Sequence, residues 1–206
     1  METTIYLVRH GTVHNPRHVL YGRLPRYHLS RGGRLEAQRR ALFLAGKGIA
    51  AIYASPLLRA RQTARIIAAQ LPCAPVHVSR LLTEVRTSRQ GETISVARPH
   101  FDLYETTTKQ DQETIGEILD RMCKILKRIF AKHLGGRVAC VTHADPIVIT
   151  VAGFLGVPLA PASLRELIFP SPASVTKIVF GESMRVIRVI YFDPSDLEKG
   201  VPIPVR

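Results

Sequence analysis

The run Ile5-Tyr6-Leu7-Val8 is apolar, and it ends at once in Arg9-His10-Gly11. A short apolar run closed by a turn residue reads as a buried strand, here over residues 4–9. A second segment is built the same way: Ala139-Cys140-Val141-Thr142 runs into His143. One histidine at a strand end is ordinarily a hydrogen-bonded side chain and no more. Two of them, at equivalent ends of two buried parallel strands, face one crevice, because ligands of open α/β sheets collect beyond the carboxyl ends of the strands.

The elements between these strands supply the layers such a sheet needs. Residues 11–30 carry Asn15, Pro16, Gly22 and Pro25 and form a loop of a length usually kept for function. Ser30 opens a helix that runs through Leu44 and ends at Gly46–Gly48. Ile49–Ala54 is a second strand. Ser55 and Pro56 then read as the cap and first residue of a helix reaching Pro72. Val76–Val78 is a third, short strand. Residues 79–112 are polar and interrupted by Gly91 and Pro99; an inserted cap is expected over about 85–112, with some helix around 93–106.

The spacing of Ile115, Ile118, Met122, Ile125 and Ile129 predicts a helix over Gln112–Leu134. A strand over Arg137–Thr142 and a helix over Pro146–Leu155 follow. Val175–Phe180 and Met184–Tyr191, joined by Gly181-Glu182-Ser183, read as a hairpin. The tail from Asp193, with Pro194, Pro202 and Pro204, reads as irregular. Alternating strands and helices imply a single three-layer α/β/α domain over residues 1–206, with a mostly parallel sheet and an antiparallel edge.

Composition narrows the partners. The net charge of +13, from 29 Lys+Arg against 16 Asp+Glu, favours anions such as phosphate esters. The cations are scattered and no aromatic-rich basic strand accompanies them, so nucleic acid is not the expected partner. No apolar run is long enough for a bilayer, and the first residues enter a strand without a basic leader; a cytoplasmic protein without membrane contact is expected. Cys73, Cys123 and Cys140 form no metal-ligating pattern and read as buried, reduced thiols. His14 and His18 are four apart, but Pro16 lies between them, and they read as loop residues rather than metal ligands.

One further segment completes the constellation. Ser55-Pro56-Leu57-Leu58-Arg59-Ala60 places Arg59 in the first turn of a helix that follows a strand, where free N–H groups and the helix dipole favour anions. Together with Arg9-His10-Gly11 and Thr142-His143, this resembles the histidine phosphatase superfamily, the clan of phosphoglycerate mutases and acid phosphatases. The likeness continues through Tyr21-Gly22-Arg23, Leu29-Ser30, Thr63-Ala64, Leu82-Thr83-Glu84-Val85, and Glu113-Thr114 with Arg121. The chain departs from the family pattern at Val85–Gly91 and at Ala144-Asp145, where a glycine is common.

The resemblance implies a phosphoglycerate mutase-like fold and a set of roles. His10 would be the nucleophile and become a phosphohistidine. Glu84 would protonate the leaving oxygen and then deprotonate water. Arg9, Arg59 and His143 would surround the phosphoryl oxygens, with Asn15 and Gly22 as further substrate-binding positions. No metal and no cofactor is called for, since arginines supply the positive charge. The implied activity is hydrolysis of a small phosphorylated metabolite or a phosphoprotein. Mutase-type phosphoryl transfer and a non-catalytic phosphate-binding protein are the alternatives. The oligomeric state stays open, a homodimer included.

Overall fold

The computed structural model describes residues 1–94, Phe101, Tyr104 and 112–205. Seven strands form one sheet: β1 (Thr3–Arg9), β2 (Ala51–Ala54), β3 (Val76–Val78), β4 (Arg137–Thr142), β5 (Val175–Phe180), β6 (Val186–Asp193) and β7 (Asp196–Ile203). Among the described residues five α-helices accompany them: α1 (Arg31–Ala45), α2 (Leu58–Ala68), α3 (Ile115–Lys132), α4 (Ala144–Leu155) and the short α5 (Pro161–Arg165). The sheet order is β3-β2-β4-β1-β5-β6-β7. β3, β2, β4 and β1 are mutually parallel, and β5, β6 and β7 follow in antiparallel pairing. A parallel centre with an antiparallel edge is therefore what forms, and the edge is three strands wide.

The alternation of β1 divides the layers. Ile5 and Leu7 point to one side, into a core with Ile118, Met122 and Leu126 of α3 and Ile147 and Val148 of α4. Tyr6 and Val8 point to the other, against Ala41 and Leu44 of α1 and Ala64 and Ile67 of α2. Successive strand residues face opposite sides of a sheet, so a strand covered on both faces must be apolar throughout. That is why the first run carries no polar interruption before Arg9.

The topology places the crevice. The chain leaves β1 for β2, and β4 later inserts between them, so the carboxyl ends of β1, β4 and β2 lie side by side. The backbone pairing continues one residue past each strand: His10 N–H donates to Thr142 O at 3.1 Å, and Ser55 N–H to Val141 O at 2.9 Å.

Several boundaries differ from the sequence expectation. Ser55 is not a helix cap; it continues the β2 ladder, and α2 starts at Leu58 after Leu57. α3 begins at Ile115 rather than Gln112 because Thr114 and Glu117 form a reciprocal capping box. α4 starts directly after His143, its N-cap, and Pro146 is accommodated inside the first turn, where an N–H has no intrahelical acceptor.

β6 begins at Val186, after a 3₁₀ turn at Glu182–Met184. The tail is not irregular: β7 pairs with β6, and Pro202 fits because β7 is the outermost strand. Of the thiols, only Cys140 is buried; Cys123 is partly buried and Cys73 is exposed. The helix expected around 93–106 falls almost wholly outside the described residues. At its near end Thr93 bridges Val19.

Candidate active site

His10 is the first residue beyond β1, and it is buried. Its Nδ1 lies 2.8 Å from the carbonyl of Gly11, and the Nε of Arg59 lies 3.0 Å from its Nε2. A guanidinium can only donate, so Nε2 carries the lone pair and Nδ1 carries the proton that Gly11 O accepts. Burial, then the Arg59 charge, then the Arg9 charge, hold the imidazole well below the ordinary histidine range. His10 is therefore neutral at neutral pH, with its Nε2 lone pair accepting from the Arg59 guanidinium.

Arg59 is the second residue of α2 and is buried. Besides His10, its Nη2 donates to Gly22 O at 2.7 Å and to Nδ1 of His143 at 3.2 Å. Its guanidinium lies 4.7 Å from the centre of the Tyr21 ring. Gly22 thus acts through its carbonyl, which holds Arg59. Thr63, one turn along α2, donates its hydroxyl to Arg59 O at 2.9 Å and accepts from Gly11 N–H at 3.2 Å. It ties the helix to the residue after the histidine.

His143 caps α4, and its ring centre lies 5.1 Å from that of His10. Arg59 donates to Nδ1, so Nε2–H donates to Ser55 Oγ, 2.8 Å away. Burial, then Arg59 and then His10, lower its pKa well below the ordinary value. Glu84 approaches from the turn after β3. Its Oε2 lies 3.7 Å from His143 Nδ1, while its Oε1 accepts from Val85 N–H at 3.0 Å.

Arg9 completes the ring. Its Nη1 donates to Pro170 O at 2.5 Å, its guanidinium lies 5.6 Å from the centre of the Phe169 ring, and its Nε is a buried donor without a hydrogen-bond partner among the described residues. An unmatched buried donor on an arginine beside these histidines and Arg59 is what an anion's oxygens would satisfy.

The structure thus brings together His10, Arg9, Arg59, Gly22, Glu84 and His143. Asn15 stands apart. Its amide closes its own loop, accepting from Val19 N–H at 3.2 Å and donating to Val19 O at 2.9 Å. His14 stacks on His28, with ring centres 5.3 Å apart, rather than pairing with His18.

Sequence reasoning gave no role at the site to Ser55, Thr63 or Asp145. Ser55 and Thr63 entered it as residues of the family likeness, Ser55 also as a cap. Thr63 could have been found as the residue four along the helix from Arg59. Asp145, in the first turn of α4, accepts from the Tyr104 hydroxyl at 2.9 Å. Burial and the Glu84 charge push its carboxyl up from the usual range.

A model of the histidine phosphatase superfamily (branch 1) matches residues 5–193. The Uncharacterized protein Rv0525 of Mycobacterium tuberculosis is 33% identical over 203 residues, covering 95% of this chain and 98% of that one. The structure of Bacillus stearothermophilus YhfR superposes with a TM-score of 0.77 at 25% identity, covering 90% of this chain and 94% of that one. The mycobacterial glucosyl-3-phosphoglycerate phosphatase Rv2419c shares the fold, with a TM-score of 0.76 at 24% identity over 93% of this chain and 97% of that one.

Proposed function

The chain belongs to the histidine phosphatase superfamily (branch 1), and from that premise we propose that it hydrolyses phosphate monoesters through a phosphorylated His10. The observation that carries this reading is the state of His10. Its Nδ1–H is held by Gly11 O, and its Nε2 lone pair points at Arg59, 3.0 Å away. A nucleophile must be unprotonated and must meet phosphorus where developing charge is already compensated.

In the first step Arg59 Nε–H turns from His10 Nε2 to a phosphoryl oxygen, and the lone pair it releases attacks phosphorus. The bond from phosphorus to the ester oxygen breaks, and that oxygen takes the proton of the Glu84 carboxyl. Arg9 and Arg59 donate to the non-bridging oxygens and offset their charge through the in-line transfer. His143 joins them once Arg59 turns to the phosphoryl group: the Ser55 hydroxyl then donates to Nε2, and Nδ1–H donates to an oxygen. In the second step a water attacks the phosphorus of phospho-His10 and gives a proton to the Glu84 carboxylate. The nitrogen–phosphorus bond breaks, inorganic phosphate leaves, and the lone pair returns to Nε2. Guanidinium groups supply the positive charge throughout, so the proposed reaction needs no metal ion. The substrate is a small phosphorylated metabolite or a phosphoprotein.

The test is turnover of 4-nitrophenyl phosphate, then of a panel of phosphorylated metabolites, by wild type and His10→Ala after dialysis against chelator. Loss of the nucleophile should cost at least about 10³-fold in kcat, while the dialysed wild type stays active. Equal turnover by the two proteins would remove the nucleophile. Abolition by chelator, reversed by a divalent cation, would point to metal-assisted hydrolysis.

A further inference from the structure

Glu84 lies in a stretch whose backbone is held by side chains from distant elements. Arg121 of α3 donates from Nη1 to Leu81 O at 2.8 Å. Thr142, at the end of β4, donates its hydroxyl to Leu82 O at 2.8 Å. Arg23, in the first loop, donates from Nε to Glu84 O at 2.7 Å. The carbonyl of the expected acid is thus gripped by a residue 61 positions away in the chain.

Glu113 ties these grips together. Its Oε2 accepts from Arg23 Nη2 at 2.9 Å, from Arg121 Nη2 at 3.2 Å and from Arg86 N–H at 3.1 Å. Its Oε1 accepts from Arg121 Nε at 2.7 Å. Its own N–H donates to Arg86 O at 2.8 Å. The backbone is therefore fixed at Glu84 and again two residues later. With Oε1 of Glu84 engaged by Val85 N–H, Oε2 is left as the oxygen that faces His143.

Proton transfer to a leaving oxygen demands placement within hydrogen-bond reach, and an error of about 1 Å can cost about 10²-fold. Arg23 has the planar fork to span two acceptors, Glu84 O and Glu113 Oε2. A lysine ammonium reaches as a point and does not reproduce that span.

We propose that Arg23, held by Glu113, which Arg121 in turn fixes, is a positioning residue for the acid step, setting where the Glu84 carboxyl stands over the leaving oxygen. This rests on the reading of Glu84 as the acid. Arg23 acts through Glu84, so its loss matters most where the leaving oxygen most needs a proton.

The experiment compares wild type, Arg23→Gln, Arg23→Lys, Glu84→Gln and the Arg23→Gln/Glu84→Gln double variant on 4-nitrophenyl phosphate and on an alkyl phosphate, glycerol 2-phosphate. Arg23→Gln should lower kcat on the alkyl ester by about 10- to 100-fold and on the aryl ester by less than about threefold, with KM within about threefold. Arg23→Lys should behave alike, and the double variant should be no worse than Glu84→Gln alone. Arg23 is partly exposed, so the Gln variant should fold; if it does not, the Lys variant, which keeps the charge beside Glu113, carries the test. Equal losses on the two esters, or losses that add to those of Glu84→Gln, would overturn the positioning role alone. If Glu84→Gln itself shows no ester preference, the acid assignment falls and this proposal falls with it.

Discussion

Nε of Arg59 lies 3.0 Å from Nε2 of His10, and the same guanidinium reaches Gly22 O and His143 Nδ1. One planar group thereby joins the ends of β1 and β4 and the first loop. The contact also fixes the histidine's tautomer, because the guanidinium has no lone pair to offer. An anion entering this ring exchanges hydrogen bonds with groups already aimed at one point, so little reorganisation remains for the reaction itself.

Arg59→Lys keeps the charge and removes that geometry. The ammonium cannot reach three acceptors lying in three directions, and it shifts its pKa readily when buried. kcat/KM for an aryl phosphate should fall by about 10²- to 10³-fold, and inhibition by inorganic phosphate should weaken. Steady-state kinetics with phosphate as competitor measures both. A loss below tenfold would show that a point charge suffices.

Buried histidines also make stability depend on pH. His10 and His143 both have folded pKa values well below 6.5, through burial first and Arg59 second. An unfolded histidine titrates near about 6.5. Between the folded and unfolded values the unfolded chain binds more protons, so unfolding free energy rises with pH. Their contribution is whole above about pH 6.5 and drains away as pH falls toward the folded values. Each histidine adds a slope of up to about 1.4 kcal/mol per pH unit. Urea midpoints from pH 7.5 to 5 should fall, and the fall should be shallower in His143→Gln than in wild type. A variant slope equal to that of wild type would mean that His143 titrates normally when folded.

The parts of this molecule that were legible in the chain are those set by local pattern. β1 and β4 read correctly because a strand covered on both faces must be apolar, and the histidines after them inherit the geometry of the strand ends. The place of Arg59 was legible because the helix that follows β2 begins next to it. Ser55 misled, since a serine before a proline looks like a cap; what it does instead is set by His143, 88 residues away. The prolines of the tail concealed β7, whose edge position makes them harmless. Asn15 carries a suitable side chain, but its own loop consumes both ends of the amide. Arg23, Glu113 and Arg121 stand in segments that carry the family likeness, but nothing in the sequence joins them, because they meet only once the sheet and α3 are in place.

A last consequence follows from how α1 sits on the loop that bears His10. A side-chain carbon added at Gly33 would run into the backbone oxygen and nitrogen of Thr12, and one added at Gly11 would run into Gly33 O. Backbone meets backbone here, and the contact is tightened by Ser30 N–H donating to Thr12 O at 2.9 Å. Glu36 holds the same residue, accepting from Thr12 N–H at 2.7 Å and from its hydroxyl at 2.8 Å. Gly33→Ala must therefore push Thr12, and with it Gly11 and His10, away from Arg59. Overpacking of this kind costs about 1–3 kcal/mol, and a displacement near 1 Å at the nucleophile should cost about 10²-fold in kcat. Gly32 is the matched control: it lies in the same helical turn, and among the described residues outside the helix's own backbone an added carbon would meet Ser30 Oγ alone, at 3.8 Å. Gly32→Ala should leave kcat unchanged and raise stability by up to about 1 kcal/mol through helix propensity. Thermal melts and kinetics on the pair measure this. Equal effects would show that the backbone contact between α1 and the catalytic loop is not what places the imidazole.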